Sequence, residues 1–595
     1  MSDASLSKDE HSSVCLGPVR VEMDRTGLAY VRFRARELAD DAWPLAKRTC
    51  TKNGFKYDGV NAYVGASWKL ASLVKVLRGT GFIPVMGASV AHEMNRLASA
   101  HDYGSAAERA DARMDAIEAV SGKKYRDYQR DDARWMEAAG SCVLANEMRT
   151  GKTPTCLAMV PPAGAVIVCP LGVKDVWVKH VRAWLPWMTP VLDKNPASLQ
   201  PGQVIITNYE RLLQFPKPMP RETLLVADEA QAFKNLNAER TKKFASLAGE
   251  VIAAFGRVIL ATGTPAQNGR WQEFWAMLEI LQLGKRMFGS SRAFSQEWRN
   301  SYDPSKPVVG PLSRVMTRRT YKEVVGYLPP FEWSDRKVYW ESVASHGWAF
   351  DDGEDYGEAC TGVEAELTTL WERHGSAPDV WAAIQGDPKS IGEYSRLRAK
   401  MALLKAPEAT MWAYEMKEAG IPCLVCSCHR DAVIAVAASL HETGDVRCGL
   451  LVGGMAQEDR DRVVEEFQEG KLDCIAFTTG TGGVGLDLSR ADAVGAIDLD
   501  YVPGKNDQAF ARVMSVADPR PKVGVRFVLD HPLEHAVDNI LAKKSKVISD
   551  TVGQVKSGSR TFGQDVFGDL QSGAVSSGVP EGVNLEELSD LLKGL

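Results

Sequence analysis

One short stretch has the residue types to hold a triphosphate. Leu144-Ala-Asn-Glu-Met-Arg-Thr-Gly-Lys-Thr153 follows the apolar run Cys142-Val143-Leu144 and leads into Pro154-Thr-Cys-Leu-Ala-Met159, whose pattern predicts a helix. A strand, a tight Gly-Lys-Thr loop and a helix N-terminus make a phosphate cradle, in which loop amides and the positive end of the helix dipole hold a β-phosphate. Gly151 leaves room for that approach, Lys152 brings charge to the β- and γ-phosphates, and the Thr153 hydroxyl is placed for Mg²⁺. A second group, Asp228-Glu229-Ala-Gln231, ends the apolar run Leu224-Leu-Val-Ala227. Adjacent carboxylates closing a buried strand are costly unless they hold a metal or a water. Asp228 is therefore expected to take the Mg²⁺, and Glu229 to orient or deprotonate the water that attacks the γ-phosphate. After a further run comes Ala261-Thr-Gly-Thr-Pro265, whose hydroxyls can couple the nucleotide site to movement elsewhere in the chain.

The elements that must position these groups show as a regular alternation. Uninterrupted apolar runs at Ala165-Val-Ile-Val-Cys169, Val204-Ile-Ile-Thr207, Leu224-Leu-Val-Ala227 and Val258-Ile-Leu-Ala261 are separated by helical stretches such as Asp175-Val-Trp-Val-Lys-His-Val-Arg-Ala-Trp184. Buried strands with intervening helices predict a parallel sheet covered on both faces, with ligands at the strands' carboxyl ends. The pattern lapses over 338–405 and resumes at Cys423-Leu-Val-Cys-Ser427, Gly449-Leu-Leu-Val452, Cys474-Ile-Ala-Phe477, Ala493-Val-Gly-Ala-Ile-Asp498 and Val525-Arg-Phe-Val-Leu529. The expected fold class is α/β, with two tandem parallel-sheet lobes. The expected divisions are a disordered start (1–16), a small α+β module (17–120), the first lobe (121–337), a helical insertion or linker (338–405), the second lobe (406–555) and a flexible tail with a short amphipathic helix (556–595). In the small module, the segment Lys47-Arg-Thr-Cys-Thr-Lys-Asn-Gly-Phe-Lys-Tyr-Asp58 reads either as a basic, aromatic nucleic-acid contact or as a solvated hairpin turn at Asn53-Gly54.

Composition sets outer bounds. Apolar residues make up 45% of the 595 and charged residues 25%, enough for several cores. A net charge of −5 means that any nucleic-acid binding must use a local basic surface. Eleven scattered cysteines form no disulfide framework, and there is neither a secretory h-region nor a membrane-length apolar run. These features lead to an expectation of free thiols and a cytoplasmic location, bacterial or in a phage-infected host, or nuclear in a eukaryote. Zinc is not expected at Cys423-x-x-Cys-x-Cys-His429, because no second ligand cluster lies at a suitable spacing.

Taken in order, these motifs resemble the superfamily-2 helicase core, and within it the Swi/Snf-type DNA translocases, from about residue 121 to 552. Tyr125-Arg-Asp-Tyr-Gln-Arg130 is similar to the adenine-reading segment, with Gln129 as reader, and residues 145–153 to motif I. Cys169-Pro-Leu…Trp177 is similar to motif Ia, Ile206-Thr-Asn-Tyr-Glu210 to the next DNA-facing element, Asp228-Glu-Ala-Gln-Ala-Phe-Lys-Asn235 to motif II and Thr262-Gly-Thr-Pro-Ala-Gln-Asn268 to motif III. Met316-Thr-Arg-Arg-Thr320 with Leu328-Pro329 resembles the bridging segment. Cys426-Ser-Cys-His-Arg-Asp431, Gly453-Gly-Met455, Gly480-Thr-Gly-Gly-Val-Gly-Leu-Asp-Leu488 and Gln508-Ala-Phe-Ala-Arg512 resemble motifs IV, IVa, V and VI. The N-terminal module resembles the small HARP domain of annealing helicases.

The resemblance implies RecA-like lobes with ATP and Mg²⁺ in the cleft between them. Catalytic roles fall on Lys152, Asp228, Glu229 and Arg512, and metal binding on Thr153 and Asp228. Nucleotide contacts fall on Gln129, Met148, Arg149, Thr150, Gly151, Lys152, Thr153, Gly485 and Asp487. DNA contacts, mostly to duplex and independent of sequence, fall on Trp177, Thr207, Asn208, Ser427, Gly454, Thr478 and Gly482. No membrane is implied and protein partners are undefined. The implied activity is ATP-driven translocation on double-stranded DNA that remodels DNA or DNA–protein complexes; the rivals are a strand-separating helicase and a DNA clamp that does not hydrolyse. Two departures matter. Arg149 replaces a loop Gly, and is open to reaching a phosphate instead. Ser515 replaces the second Arg of motif VI, the arginine finger, and Asp518 replaces its closing Gln, leaving Arg512 or Arg520 for the finger's task.

Overall fold

In the computed structural model, the described residues are six short stretches and one isolated position between 17 and 86 and then, with gaps, 103–551; the larger gaps are 301–311, 325–330, 342–355 and 515–519. The expected disordered start and the C-terminal tail lie outside the described residues.

Three sheets organise the chain. The first is a mixed five-stranded sheet in the order β3-β4-β2-β1-β5, with β1 Gly17–Met23, β2 Leu28–Phe33, β3 Lys56–Tyr57, β4 Ala62–Ala66 and β5 Phe82–Met86. The residues before Asn53-Gly54 form a helix, Ala42–Lys52, so the basic segment starts on a helix and not on a hairpin strand.

The second sheet has seven strands in the order β12-β6-β11-β10-β7-β9-β8, every described pairing parallel. Its strands are β6 Cys142–Leu144, β7 Ala165–Cys169, β8 Thr189–Leu192, β9 Gln203–Asn208, β10 Leu224–Asp228, β11 Arg257–Ala261 and β12 Met316–Thr317. Apolar clusters cover it on both faces, one around Phe233, Phe244, Phe274 and Trp298 and the other around Trp135, Ile167, Trp177 and Val181. This accounts for the continuous apolar runs of the inner strands.

The third sheet has six strands, also parallel, in the order β13-β18-β17-β14-β16-β15. These are β13 Phe331–Val338, β14 Cys423–Ser427, β15 Cys448–Leu451, β16 Cys474–Thr478, β17 Ala493–Ala496 and β18 Lys522–Leu529.

Two expected boundaries move. The helix Tyr103–Ser121 packs Ala110, Met114 and Ile117 into the first lobe's core, and Arg109 and Arg113 join Arg257 around the buried Glu137 carboxylate. The helix ahead of residue 121 thus packs as part of the first lobe's core. At the lobe's other end β13 pairs along its length with β18, so the chain enters the second lobe before residue 338. The expected linker is also core: Val363, Leu367, Leu370, Tyr394 and Met401 pack with Cys423, Val425 and Phe527. Lys405, 1% exposed, donates to the Phe527 carbonyl (3.0 Å) and to Glu534 (2.7 Å), which fixes this helical layer to the sheet.

Candidate nucleotide site and lobe interface

β6 delivers the phosphate loop and the helix Lys152–Leu157 leaves it. Gly151 sits at φ +79°, and a Cβ there would lie 2.6 Å from Gln129 Nε2, so the turn requires glycine on both counts. The loop is braced from behind: Tyr128 donates to the Thr150 carbonyl (2.6 Å), Gln129 Nε2 to the Gly151 carbonyl (3.1 Å), and the Thr150 hydroxyl to the Glu147 carbonyl (2.6 Å). Gln129 Oε1 accepts from the Arg126 amide (3.0 Å), so both ends of this side chain serve the loop and helix start. Lys152 Nζ donates to the Asn146 and Glu147 carbonyls (2.9 and 3.0 Å). Burial lowers its pKa, and Glu229 and Asp228 oppose that shift. Met148 lies against Gly263, where a Cβ would approach its Cγ to 2.9 Å.

Asp228 ends β10. Its carboxylate accepts from the indole N–H of Trp177 (2.8 Å) and the Glu229 amide (3.0 Å), while Tyr209 donates its hydroxyl to the Asp228 carbonyl. Burial, with Glu229 adjacent, pushes the Asp228 pKa up to about 6. A buried carboxyl held ready beside a second carboxylate, a lysine and a threonine suits a divalent cation coordinated by oxygen. Thr153 follows Lys152 in the first turn of the loop helix.

From Glu229 a chain of polar contacts leads to the second lobe. Gln231 donates to Glu229 (2.6 Å), Thr262 to Gln231 (2.6 Å), the Thr264 amide to Thr262 (3.0 Å), and Gln508 to the Thr264 hydroxyl (3.3 Å). Arg318 fixes the same wall, donating to the Ala145 carbonyl (2.9 Å) and Glu147 (3.1 Å). A cavity of about 390 Å³ separates the lobes here, bounded by Met148, Thr264 and Arg318 on one side and Asp507, Phe510 and Met514 on the other. The sequence flagged the Met316–Thr320 segment only as a bridge; the part played by Arg318 depends on a contact between residues 173 positions apart.

Several expected contacts are relocated. Trp177 is 2% exposed and donates its indole N–H to Asp228. Thr207 is fully buried with its hydroxyl on Asp193 (3.3 Å), Ser427 is fully buried with its hydroxyl on Asp498, and Asn208 is nearly buried with its amide on Glu210 (2.6 Å). None of these side chains is presented at the surface. Gly454 is exposed at φ +90°, Thr478 is partly exposed at the end of β16, and Gly482 closes the short helix Thr479–Gly482. Gly485, Ser515 and Asp518 lie outside the described residues. Asp487 pairs with Arg149 (3.0 Å), so Arg149 reaches across to the second lobe and not to a phosphate position. Arg520 pairs with Asp492 at the start of β17 (2.7 Å). Arg512 feels both Asp228 and Glu229, while desolvation and the adjacent Arg149 bring its pKa down to about 10. Of the two arginines, Arg512 is the one coupled to the carboxylate pair.

Cys428, His429 and Asp498 are the one His/Cys/carboxylate group found among the described residues with donor atoms within 4.8 Å of each other. Arg398 lies 3.4 Å from Asp498 and 3.9 Å from the Cys428 sulfur, so a cation already occupies the position that a metal would need.

Two parallel-sheet lobes, a phosphate loop on one and an arginine-bearing helix end on the other, define a two-lobed α/β core with a cleft between its lobes. The sequence matches the SNF2-related domain over residues 121–346 and the helicase conserved C-terminal domain over 408–517, together more than half of the chain. The chain belongs to the Swi/Snf-type branch of superfamily 2. It is 24% identical over 468 residues to a chromodomain-helicase-DNA-binding protein 1-like of Danio rerio, covering 72% of this chain and 44% of that one. It is 22% identical over 506 residues to the SWI/SNF chromatin-remodeling complex subunit snf22 of Schizosaccharomyces pombe, covering 74% and 28%. Against the ISWI chromatin-remodeling complex ATPase ISW2 of Saccharomyces cerevisiae, identity is 24% over 509 residues, covering 76% and 44%. The chain thus spans less than half the length of each of these relatives. A solved Sulfolobus solfataricus SWI2/SNF2 ATPase core in complex with dsDNA aligns at 18% identity over 76% of this chain and 95% of that one, with a TM-score of 0.32. No helix among the described residues is long and apolar enough to cross a membrane.

Proposed function

We propose that the chain hydrolyses ATP to translocate along double-stranded DNA, remodelling DNA or the proteins bound to it. The observation that carries this reading is the convergence on one cleft of Lys152, Asp228 and Glu229 from the first lobe and Arg512 from the second. Thr153 and Asp228 would hold Mg²⁺, which neutralises charge on the β- and γ-phosphates. Lys152 exchanges its carbonyl partners for phosphate oxygens, Glu229 orients the attacking water, and Arg512 offsets charge in the transition state. Hydrolysis relaxes the cleft, and the polar chain from Glu229 to Gln508 transmits that change to the second lobe. DNA would lie along Gly454, Thr478 and Gly482 of the second lobe, and Lys234 and Arg240 beside Pro170 and Tyr209 on the first, an arrangement that grips phosphates without reading bases. Its location would be wherever the DNA is, cytoplasmic or nuclear.

Steady-state ATP hydrolysis without DNA, with single strands and with duplex tests this directly, with Lys152→Ala as the blank. Duplex should stimulate most, with the stimulation falling steeply with salt, and Lys152→Ala should abolish it. Greater stimulation by single strands would indicate strand separation, and DNA binding without turnover a clamp.

A second expectation concerns Trp177→Phe, which keeps a buried ring but removes the donor to Asp228. The Mg²⁺ concentration for half-maximal hydrolysis should rise about tenfold, as for other partners of metal ligands, with affinity for DNA unchanged. A Mg²⁺ titration unaltered by the substitution would show that the indole does not hold the carboxylate for the metal.

A further inference from the structure

Arg149 adopts φ +63°, a left-handed conformation that a side chain enters only under constraint, at a position where the family's loop carries glycine. Its guanidinium leaves the first lobe altogether. Nη2 donates to the carbonyls of Arg512 (3.0 Å) and Leu486 (3.2 Å) and to Asp487 (3.0 Å), and Nε to the carbonyl of Ala511 (3.4 Å). The helix Pro503–Phe510 and the turn Ala511–Val513 end at these carbonyls, and the last carbonyls of a helix have no partner within it. Arg149 thus caps a helix end from the opposite lobe, with its charge matched to the negative end of the dipole. The Arg512 carbonyl also accepts from the Leu488 amide (3.3 Å), so the segment 486–488 and the turn 511–513 are stitched together and Arg149 grips both. The Asp487 side chain is 60% exposed, so that ion pair contributes little and the carbonyl contacts carry the attachment.

We propose that Arg149 is a positioning residue, a strut through which the phosphate loop sets the backbone that presents Arg512 to the cleft. This rests on the ATPase reading above. The loop's backbone next to Arg149 is fixed by Tyr128 on Thr150 and Gln129 on Gly151, so the strut rises from a braced base. The Arg512 guanidinium feels the like charge of Arg149 and the opposite charges of Glu229 and Asp228. The loop's departure from glycine and the loss of an arginine at position 515 then have one physical account: a single remaining arginine is held in place by an added one.

The test compares the wild-type full chain with Arg149→Gly, Arg149→Lys, Arg512→Ala and the Arg149→Gly/Arg512→Ala double variant. Glycine suits the left-handed backbone, so Arg149→Gly should fold. The kcat for duplex-stimulated ATP hydrolysis should fall about 10- to 100-fold in Arg149→Gly, the scale of a misplaced catalytic group, with KM for ATP within about threefold of wild type. Arg149→Lys, which lacks the fork that spans several carbonyls, should recover only part of that loss. The double variant should be no slower than Arg512→Ala. Losses that multiply, or a raised KM with kcat intact, would make Arg149 a phosphate contact and overturn the strut. Hydrogen–deuterium exchange of the nucleotide-free protein gives a readout independent of turnover: amides of 511–514 should exchange faster in Arg149→Gly. Unchanged exchange would overturn the strut. A wild-type chain without turnover would remove the ATPase reading and leave the exchange result to decide the strut.

Discussion

Glu229→Gln should abolish multiple-turnover ATP hydrolysis, by about 10²- to 10⁴-fold, the range lost with a general base, while Mg·ATP still binds. The side chain projects from a left-handed residue (φ +51°) immediately after Asp228, the proposed Mg²⁺ ligand. Its one described side-chain hydrogen bond, from Gln231 at 2.6 Å, leaves its other oxygen for a water. The amide is nearly isosteric but cannot take a proton. Removing the Glu229 charge also removes the largest influence, after burial, that holds the Asp228 pKa at about 6. Below that pH a proton competes with the metal for Asp228 in the wild type. In Glu229→Gln the competition should move to lower pH, and Mg²⁺ dependence at pH 6 should weaken. Single-turnover hydrolysis and binding of a fluorescent ATP analogue measure the two effects. Turnover within tenfold of wild type would transfer the base's role away from Glu229, and lost nucleotide binding would make it a structural residue.

The parts legible in the sequence were those fixed by local chemistry. The phosphate loop needs Gly151, Lys152 and Thr153 in consecutive positions, and the buried parallel strands read as unbroken apolar runs because both faces are covered. Strand β13 does not show in the sequence because Phe331-Glu-Trp-Ser-Asp-Arg-Lys-Val338 is an exposed edge whose charges are satisfied by its surroundings, Asp335 by Arg526 of β18 (2.7 Å) and Arg336 by Glu415 of the helix Ala406–Glu418 (2.7 Å). Residues 338–405 read as a helical insertion or linker outside the alternation, because helices that pack on one side of a sheet carry an apolar stripe diluted by polar positions. The buried members of the expected DNA-facing set have a related explanation. Thr207 and Ser427 stand at strand ends and Trp177 in the helix Lys174–Trp184 after β7, where sequence position does not distinguish a hydroxyl or indole turned to solvent from one turned to a buried carboxylate; Asp193, Asp498 and Asp228 claim them. Arg149 was legible only as an oddity, since its partners lie more than 330 residues away in sequence.

Arg512→Ala should lower kcat for duplex-stimulated hydrolysis by about 10³- to 10⁵-fold, the full worth of an arginine finger, with nucleotide and DNA binding largely kept. Motif VI supplies one arginine where two are usual, and the structure separates the two candidates for the task. Arg520 is half-exposed and paired with Asp492, so Arg520→Ala should stay within about twofold of wild type, as expected when an exposed ion pair is removed. Arg512 is drawn electrostatically to Glu229 and Asp228, and its desolvation strengthens any contact it makes with a developing phosphate charge. The substitution also takes one positive charge from a site that holds two carboxylates, so ATP, which adds further negative charge, should bind somewhat more weakly. Arg512→Lys should restore part of that binding but little of the rate, because a point charge lacks the planar fork that spans two phosphate oxygens. Single-turnover rates at saturating ATP separate chemistry from binding. A large loss confined to Arg512 would place the transition-state cation there. A loss shared equally with Arg520 would mean that the lobes close further on ATP than the Arg149 contacts allow.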